Sequence, residues 1–338
     1  MIDTSTIDTS VRKLLTEESS VTLSPSYEGA NIGTYIGFKH VNYLIEKAVI
    51  EHFRAAGLPV GELYQQYGLG FDVVDLAAKL RGGMYVDDQA LLRVRPVAGD
   101  PADTLGFQVS VFVPRNGESK KIVTGSVKAV LRLDEDVRRL PDRLPTPVAL
   151  APFTVREIGP AKAGAEVPGP LAPLVSGGTV DHDPVLDQLL AGRNGYGWRM
   201  RVPYPYVHFF ERVQMTAYLR LMEEAKHRFV DSRGISIGRQ LGTRNWIPLV
   251  TESRIEMVGE ALLEEDLYCT YEVTDIFKNL HYTSRMDCHV VRDGRLLQVA
   301  TGTITHGYAV PENGNQARIV SLDDTIMRAL RGTGDGPA

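Results

Sequence analysis

The chain has 338 residues, 43% hydrophobic and 23% charged, which excludes a disordered protein and leaves room for two ordinary domains with real cores. A net charge of -5 and a pI near 5.9 provide no basic field for nucleic acid and no polybasic anchor for an anionic membrane. The two cysteines, Cys269 and Cys288, fit neither a metal spacing nor a disulfide framework, and read as small buried residues in a reducing compartment.

The first 20 residues lack the basic-then-apolar order of a signal peptide, and no apolar run approaches the roughly 18 residues of a membrane span, so residues 1–20 read as the tail of a cytoplasmic protein. A first domain is expected over 21–150. Within it the stretch from about His40 to Ala56 places Val41, Leu44, Ile45, Ala48, Val49 and Phe53 at helical spacing, and Gly57 stops the helix. A short loop follows, then four β-rich runs beginning near Phe71, Ala90, Gly106 and Lys121. Residues 151–197, rich in Pro, Gly and Ala, read as a linker, and PVALAPFTVREIG at its start offers an extra edge strand. The second domain, 198–312, has a leading strand from Trp198, a helix ending at Gly234 and four β-rich runs from Trp246, Asp266, Leu280 and Leu296. The last two are joined across Arg292-Asp293-Gly294 as a hairpin. Residues 313–338 are expected to hold a C-terminal helix and a frayed tail, RGTGDGPA.

The two domains are copies. A gapless shift of 234 − 57 = 177 positions carries Gly57 onto Gly234, Gly61 onto Gly238, Gly82 onto Gly259, Leu44 onto Leu221, Glu46 onto Glu223 and Ala48 onto Ala225. The duplicated unit is roughly 110 residues, a common domain size. One long helix, a leading strand before it and four antiparallel strands after it make one curved sheet around one helix. The fold class is α+β, a double hot dog of two antiparallel sheets, each wrapped around a central helix.

The second copy, with YLRLMEEAKHRF, ESRIEMVGEALLEEDLYCTYEV and MDCHVVRDGRLLQVATGTITHGYAV, resembles the acyl-CoA and acyl-carrier-protein thioesterases of the hot-dog superfamily, and the repeat extends the likeness to the first copy. Domains of that superfamily generally pair, with the thioester site between the two helices. A duplicated chain would thus supply internally what single-domain relatives make from two chains. The resemblance implies a thioesterase or acyltransferase acting on acyl-CoA or acyl-carrier protein. It implies no cofactor beyond the CoA or phosphopantetheine of the substrate and leaves the double unit free to form a homodimer; no His/Asp/Cys spacing recommends a metal, and the charge balance offers nothing to a nucleic-acid or membrane partner. A further likeness in layout, to the bifunctional acyltransferase/decarboxylase of the leinamycin polyketide pathway, rests on GANIGTYIG from Gly29, on QMTAYL in the second half and on Tyr67, which occupies the position nearest that enzyme's acyl-accepting tyrosine. It implies a place in polyketide or related secondary metabolism.

Candidate site residues follow. Backbone N–H groups at a helix N-terminus polarise a thioester carbonyl without a side-chain signature, which points to Gly37–His40 and Gln214–Thr216. Thioesterases of the 4-hydroxybenzoyl-CoA type carry an aspartate shortly before the helix tyrosine; here that position is His208, with Asn31 as its repeat partner, and no aspartate lies nearby. HVN at His40-Val41-Asn42 keeps the rest of that motif. Glu46 and Glu223 are matched carboxylates on the two long helices, candidates for a base, or else surface residues paired with Lys47, Arg220 or Lys226. Tyr67 is a candidate nucleophile in a loop, needing a neighbour such as His208 or His40 to take its proton. Arg244 could meet a phosphate at a pocket mouth, or sit in an exposed loop. His281, His289 and His306 read as structural. Two rivals remain: a dehydratase or hydratase using His40 with Glu223, and a non-catalytic acyl-thioester binding module.

Overall fold

A helix that buries one stripe and strands that bury every second residue can share a core only if the sheet curls around the helix. The computed structural model, which describes residues 2, 5–99, 101–136, 138–159, 163–167, 171–312 and 316–333, does this twice, in units spanning Met1–Gly159 and Pro160–Ala338.

In the first unit α1 (Ile7–Thr16) and β1 (Ser19–Leu23) lead to a small hairpin, β2 (Ala30–Ile32) and β3 (Tyr35–Ile36), and then to the long α2 (Phe38–Ala55) and the short α3 (Val60–Tyr67). The strands β4 (Leu69–Leu80), β5 (Ala90–Val97), β6 (Leu105–Arg115) and β7 (Glu118–Leu133) form an antiparallel sheet ordered β1-β5-β6-β7-β4, and β8 (Thr154–Val155) joins β7 in parallel. All six apolar residues expected on the core face of α2 are buried. Gly57, at φ +86°, ends the helix as its position in the sequence suggests. Buried His52 ties the N-terminal segment to α2: its Nε2 donates to the Leu14 carbonyl at 2.9 Å and its Nδ1 accepts from the Ser19 hydroxyl at 2.7 Å.

The second unit contains β9 (Ala163–Glu166), β10 (Thr179–Val180), α4 (Pro184–Leu190), β11 (Gly195–Arg201), the hairpin β12 (Val207–His208) and β13 (Arg212–Val213), α5 (Met215–Ser232) and α6 (Ile237–Arg244). Then come β14 (Ile247–Met257), β15 (Asp266–Phe277), β16 (His281–Arg292), β17 (Arg295–Glu312), β18 (Gln316–Val320) and α7 (Asp324–Arg331). Its sheet runs β14-β17-β16-β15-β11-β10, with β9 and β18 also on β17. Cys269 and Cys288 face each other across β15 and β16, both buried, with their sulfurs 3.7 Å apart and unbonded.

The shift of 177 holds through the architecture without a gap. Leu105 pairs with Ala129 as Tyr282 pairs with His306, and Ser19 with Val94 as Tyr196 with Tyr271. Even the irregularities repeat: β4 breaks register between Val73 and Asp75 and β14 between Val250 and Glu252, while β6 does so between Val111 and Phe112 and β16 between Cys288 and His289. Such bulges bend strands, which a sheet curled around a helix requires.

Four sequence expectations change. Residues 1–20 are not merely a tail, since α1 buries Ile7, Val11 and Leu14. The segment after each long helix is a further short helix, α3 or α6, rather than a loop. The region read as a linker carries β9, β10 and α4, the last being the repeat partner of the start of α1. The strand expected from Trp198 ends at Arg201, where Pro203 and Pro205 remove backbone donors and a 3-10 turn follows. The C-terminal helix is present as α7, capped by Asp323, and the edge strand expected near the linker is β8; residues 334–338 of the expected tail lie outside the described residues. Among the described residues no helix is long and apolar enough to cross a membrane.

At matching positions of the two units a glycine of the sheet faces a side chain of the long helix at close range. A Cβ added to Gly125 would lie 2.9 Å from the Ile45 side chain, whereas one added to Gly302 would lie 2.5 Å from Met222 and 2.7 Å from the Arg254 carbonyl oxygen. A side chain can move aside, but a strand carbonyl cannot. Gly302→Ala is therefore expected to cost about 1–3 kcal/mol in urea unfolding, and Gly125→Ala less than half of that.

Candidate functional site

Each long helix is entered from a hairpin, and in both units the hairpin and the first turn gather the expected site residues. In the first unit Gly37 is the N-cap of α2, extended at φ -64° and ψ 151°, with no side chain capping the helix. Its carbonyl accepts from the His40 and Val41 amides. His40, buried, packs against the Tyr43 ring at 5.0 Å and touches the chain that leads in: a Cβ on Gly29 would lie 2.8 Å from its Cγ. Asn42 is fully buried and donates from Nδ2 to the Phe38 carbonyl at 2.9 Å, while Glu46 is half-buried one turn further on. Asn31 lies on β2, exposed. Beside this turn is a cleft of about 240 Å³ lined by Ser24, Ser26, His40, Tyr43, Leu44 and Lys47. Tyr43, Ser24 and Ser26 were not expected from sequence; Tyr43 follows from i,i+3 spacing to His40, whereas the serines arrive through tertiary folding alone.

In the second unit Gln214 is the N-cap of α5, extended and likewise without a side-chain cap. His208, half-buried, ends β12 opposite Arg212, with its ring 4.7 Å from that of Phe209. The turn between them holds Phe209 and Phe210 at φ +43° and +73°. The matching turn of the first unit has Gly33 at φ +59° in the position of Phe210. Left-handed backbone at a bulky residue costs roughly 1–3 kcal/mol, and such strain concentrates at functional sites. Arg212 is buried and its guanidinium lies over the Phe209 ring at 5.4 Å. Glu223 is half-buried on α5.

Three expected residues are placed differently. Tyr67 is the buried last residue of α3, and among the described residues its hydroxyl has no hydrogen-bond partner. Burial pushes its pKa up, the wrong direction for a nucleophile. It precedes β4 at Leu69, whereas the hairpin feeding α2 meets the far end of that strand, where the Ile36 amide donates to the Met84 carbonyl. A 12-residue strand spans roughly 40 Å. His40 and Tyr67 therefore do not meet within the first unit. Arg244, the last residue of α6, is held by Asp323 at 2.8 Å and stacks on Trp246 at 4.8 Å. Lys226, expected along a solvated face, is buried.

Gly29→Ala is expected to expel the His40 ring from its place, visible as a changed His40 imidazole signal in NMR, with a loss of stability of about 1–3 kcal/mol. Phe210→Gly is expected to do the opposite to stability, raising the thermal midpoint by relieving a left-handed bulky residue.

No protein-family model matches the sequence and no curated protein resembles it closely enough to register. Solved structures do match in three dimensions. A protein assigned as an oleoyl thioesterase of Lactobacillus plantarum aligns over 88% of this chain and 97% of its own, at 13% identity and a TM-score of 0.54. The 12:0-ACP thioesterase from Umbellularia californica aligns over 86% and 94% at 10% identity and 0.52. An acyl-ACP thioesterase from Bacteroides thetaiotaomicron aligns over 86% and 97% at 10% identity and 0.51. Helix, sheet order, register and these alignments agree: the chain has the fold of the hot-dog thioesterases, carried in two copies.

Proposed function

We propose that the chain hydrolyses an acyl thioester of CoA or of an acyl-carrier protein. The observation that carries this reading is the entrance to α2. An extended N-cap without a capping side chain and a buried His40 lie beside a cleft, and a half-buried Glu46 lies further along the same helix, outside the lining of that cleft. The named activities of the structural neighbours support the same class of substrate.

In this reading the backbone N–H groups of the first turn face the thioester carbonyl oxygen and stabilise the negative charge that develops on it. Glu46 removes a proton from water as the water oxygen attacks the carbonyl carbon. The tetrahedral intermediate collapses with cleavage of the C–S bond, the proton passes to the departing thiolate, and a free acid and a thiol leave. His40, wedged between Gly29 and Tyr43, positions the carbonyl. Hydrolysis is favoured over acyl transfer through Tyr67, because that phenol is buried, raised in pKa and lacks a base among the described residues.

The test is release of thiol and free acid from a panel of acyl-CoAs and acyl-carrier proteins, with intact-mass analysis of the protein in parallel. Equal amounts of thiol and acid, with no lasting adduct, are expected, and Glu46→Gln should lower kcat by about 10²–10⁴-fold. An acyl adduct that disappears in Tyr67→Phe would overturn hydrolysis in favour of transfer.

A further inference from the structure

The two copies differ most where one would expect them to agree, in the layer between helix and sheet. In the first unit six positions of that layer are Val49, Val94, Leu105, Phe107, Ala129 and Leu131, all buried and apolar. Shifted by 177, the same positions of the second unit are Lys226, Tyr271, Tyr282, Ser284, His306 and Tyr308, and all are again buried. The registers are identical, so these are the same places in the fold: Tyr282 opposes His306 as Leu105 opposes Ala129, and Tyr271 opposes Met286 as Val94 opposes Val109. The first unit demonstrates that the architecture is filled by hydrocarbon there. The second has replaced a core with a cluster of donors.

The side chains converge. Tyr282 stacks on His306 with ring centres 5.2 Å apart, and the Lys226 ammonium, on the buried stripe of α5 between Met222 and Val230, lies 5.8 Å from the centre of the Tyr308 ring. Tyr271 faces Ser284 and Tyr282 faces Tyr308, close enough to interact but short of hydrogen-bond geometry. The hydroxyls of Tyr271, Tyr282, Tyr308 and Ser284 and both ring nitrogens of His306 are buried without a hydrogen-bond partner among the described residues. Glu223, three residues earlier on the same helix and half-buried, is the carboxylate whose charge reaches the Lys226 ammonium. A buried polar atom without a partner marks a place where something else binds. Here the cluster offers an ammonium, three phenols, a hydroxyl and an imidazole.

Electrostatics agree with this inventory. Burial lowers Lys226 to about 8, a drop that Glu223 opposes, so at neutral pH the amine is largely charged. Burial, and then Lys226, push His306 well below its ordinary value, which keeps it neutral. Burial raises Tyr308 to about 12, so it remains a donor. From Tyr308 a chain of contacts leads outward, to Trp246 at 5.7 Å and then to the half-buried guanidinium of Arg244. That guanidinium is paired with Asp323 at 2.8 Å.

We propose that this layer inside the second unit is a binding chamber for a carboxylate borne at the far end of an acyl group, so that the substrates are thioesters of dicarboxylic acids. The assignment of an acyl group rests on the reading of the chain as an acyl-thioester hydrolase. Lys226 lies 11 residues beyond the start of α5, roughly 16 Å along that helix.

The test uses free acids, so it does not depend on turnover. Binding of a series of α,ω-dicarboxylates from adipate to hexadecanedioate is compared by calorimetry with that of monocarboxylates of equal length, on the full chain and on Lys226→Met. The expected result is a preference of at least tenfold for one or more dicarboxylates at pH 7. That preference should weaken at pH 9.5 as Lys226 loses its proton in the presence of Glu223, His306, Tyr271, Tyr282, Tyr308 and Arg244, and it should vanish in Lys226→Met. Lys226→Met should fold, because the first unit has Val49 at that position; Tyr308→Phe, which removes one hydroxyl, gives the same reading should it not. Equal binding of mono- and dicarboxylates, a preference that survives both substitutions, no binding of any acid, or acetate binding as tightly as the best dicarboxylate would each overturn the proposal. Dicarboxylate binding by a chain inert toward every thioester would sustain the chamber and sink only the hydrolase.

Discussion

A glycine of the sheet under the long helix in each unit constrains how helix and sheet pack. Gly125 beneath Ile45 and Gly302 beneath Met222 let a long helix lie against the middle of a curled sheet, and the bulges at matching positions of β4 and β14 and of β6 and β16 let the strands bend around it. With the helix axis held this way, its first turn must project where the preceding hairpin delivers it. That is why His40 is wedged against Gly29. A helix free to ride a few tenths of an ångström higher would not hold an imidazole in place.

Identical frames carry different contents. The first unit keeps an apolar layer and a glycine in the hairpin turn, while the second has six polar residues in the layer and Phe210 in the turn. These substitutions run against stability in each case, since a buried donor without a partner costs about 1–3 kcal/mol and a left-handed bulky residue a similar amount. Losses of that kind are not expected in a copy whose only task is structural. For the layer between helix and sheet, the first unit is the better guide to what the fold alone requires.

The frame was legible in the sequence because its signals are local. Apolar spacing on α2 and α5, alternation in eight strands and a gapless shift of turn glycines all survive without tertiary knowledge. What escaped was whatever depends on packing. GELYQQYGLG looked like a loop because its glycines outweigh a short apolar face, yet Leu63 and Tyr67 bury that face and make it a helix. The segments 7–16 and 184–190 were too short and too polar to declare themselves, and only docking onto the sheet makes helices of them. Lys226 was the largest miss. Charged helix residues are nearly always exposed, so the rule placed it in water, although its spacing from Met222 and Val230 put it on the buried stripe. Comparing the copies position by position, Val49 against Lys226, would have exposed the conflict from sequence alone.

That conflict bears on the state of the chain without a ligand. Four hydroxyls and an imidazole left without partners represent several times the roughly 1 kcal/mol of an ordinary hydrogen bond, against a total stability of about 5–15 kcal/mol for a whole domain. Water or a molecule with acceptors to spare would satisfy these groups. Water can serve the phenols and Ser284, but it cannot neutralise an ammonium, and Glu223 remains half in solvent. An anion satisfies both demands at once. A ligand that binds only the folded unit also stabilises it, so the second unit would gain stability with occupancy of this layer.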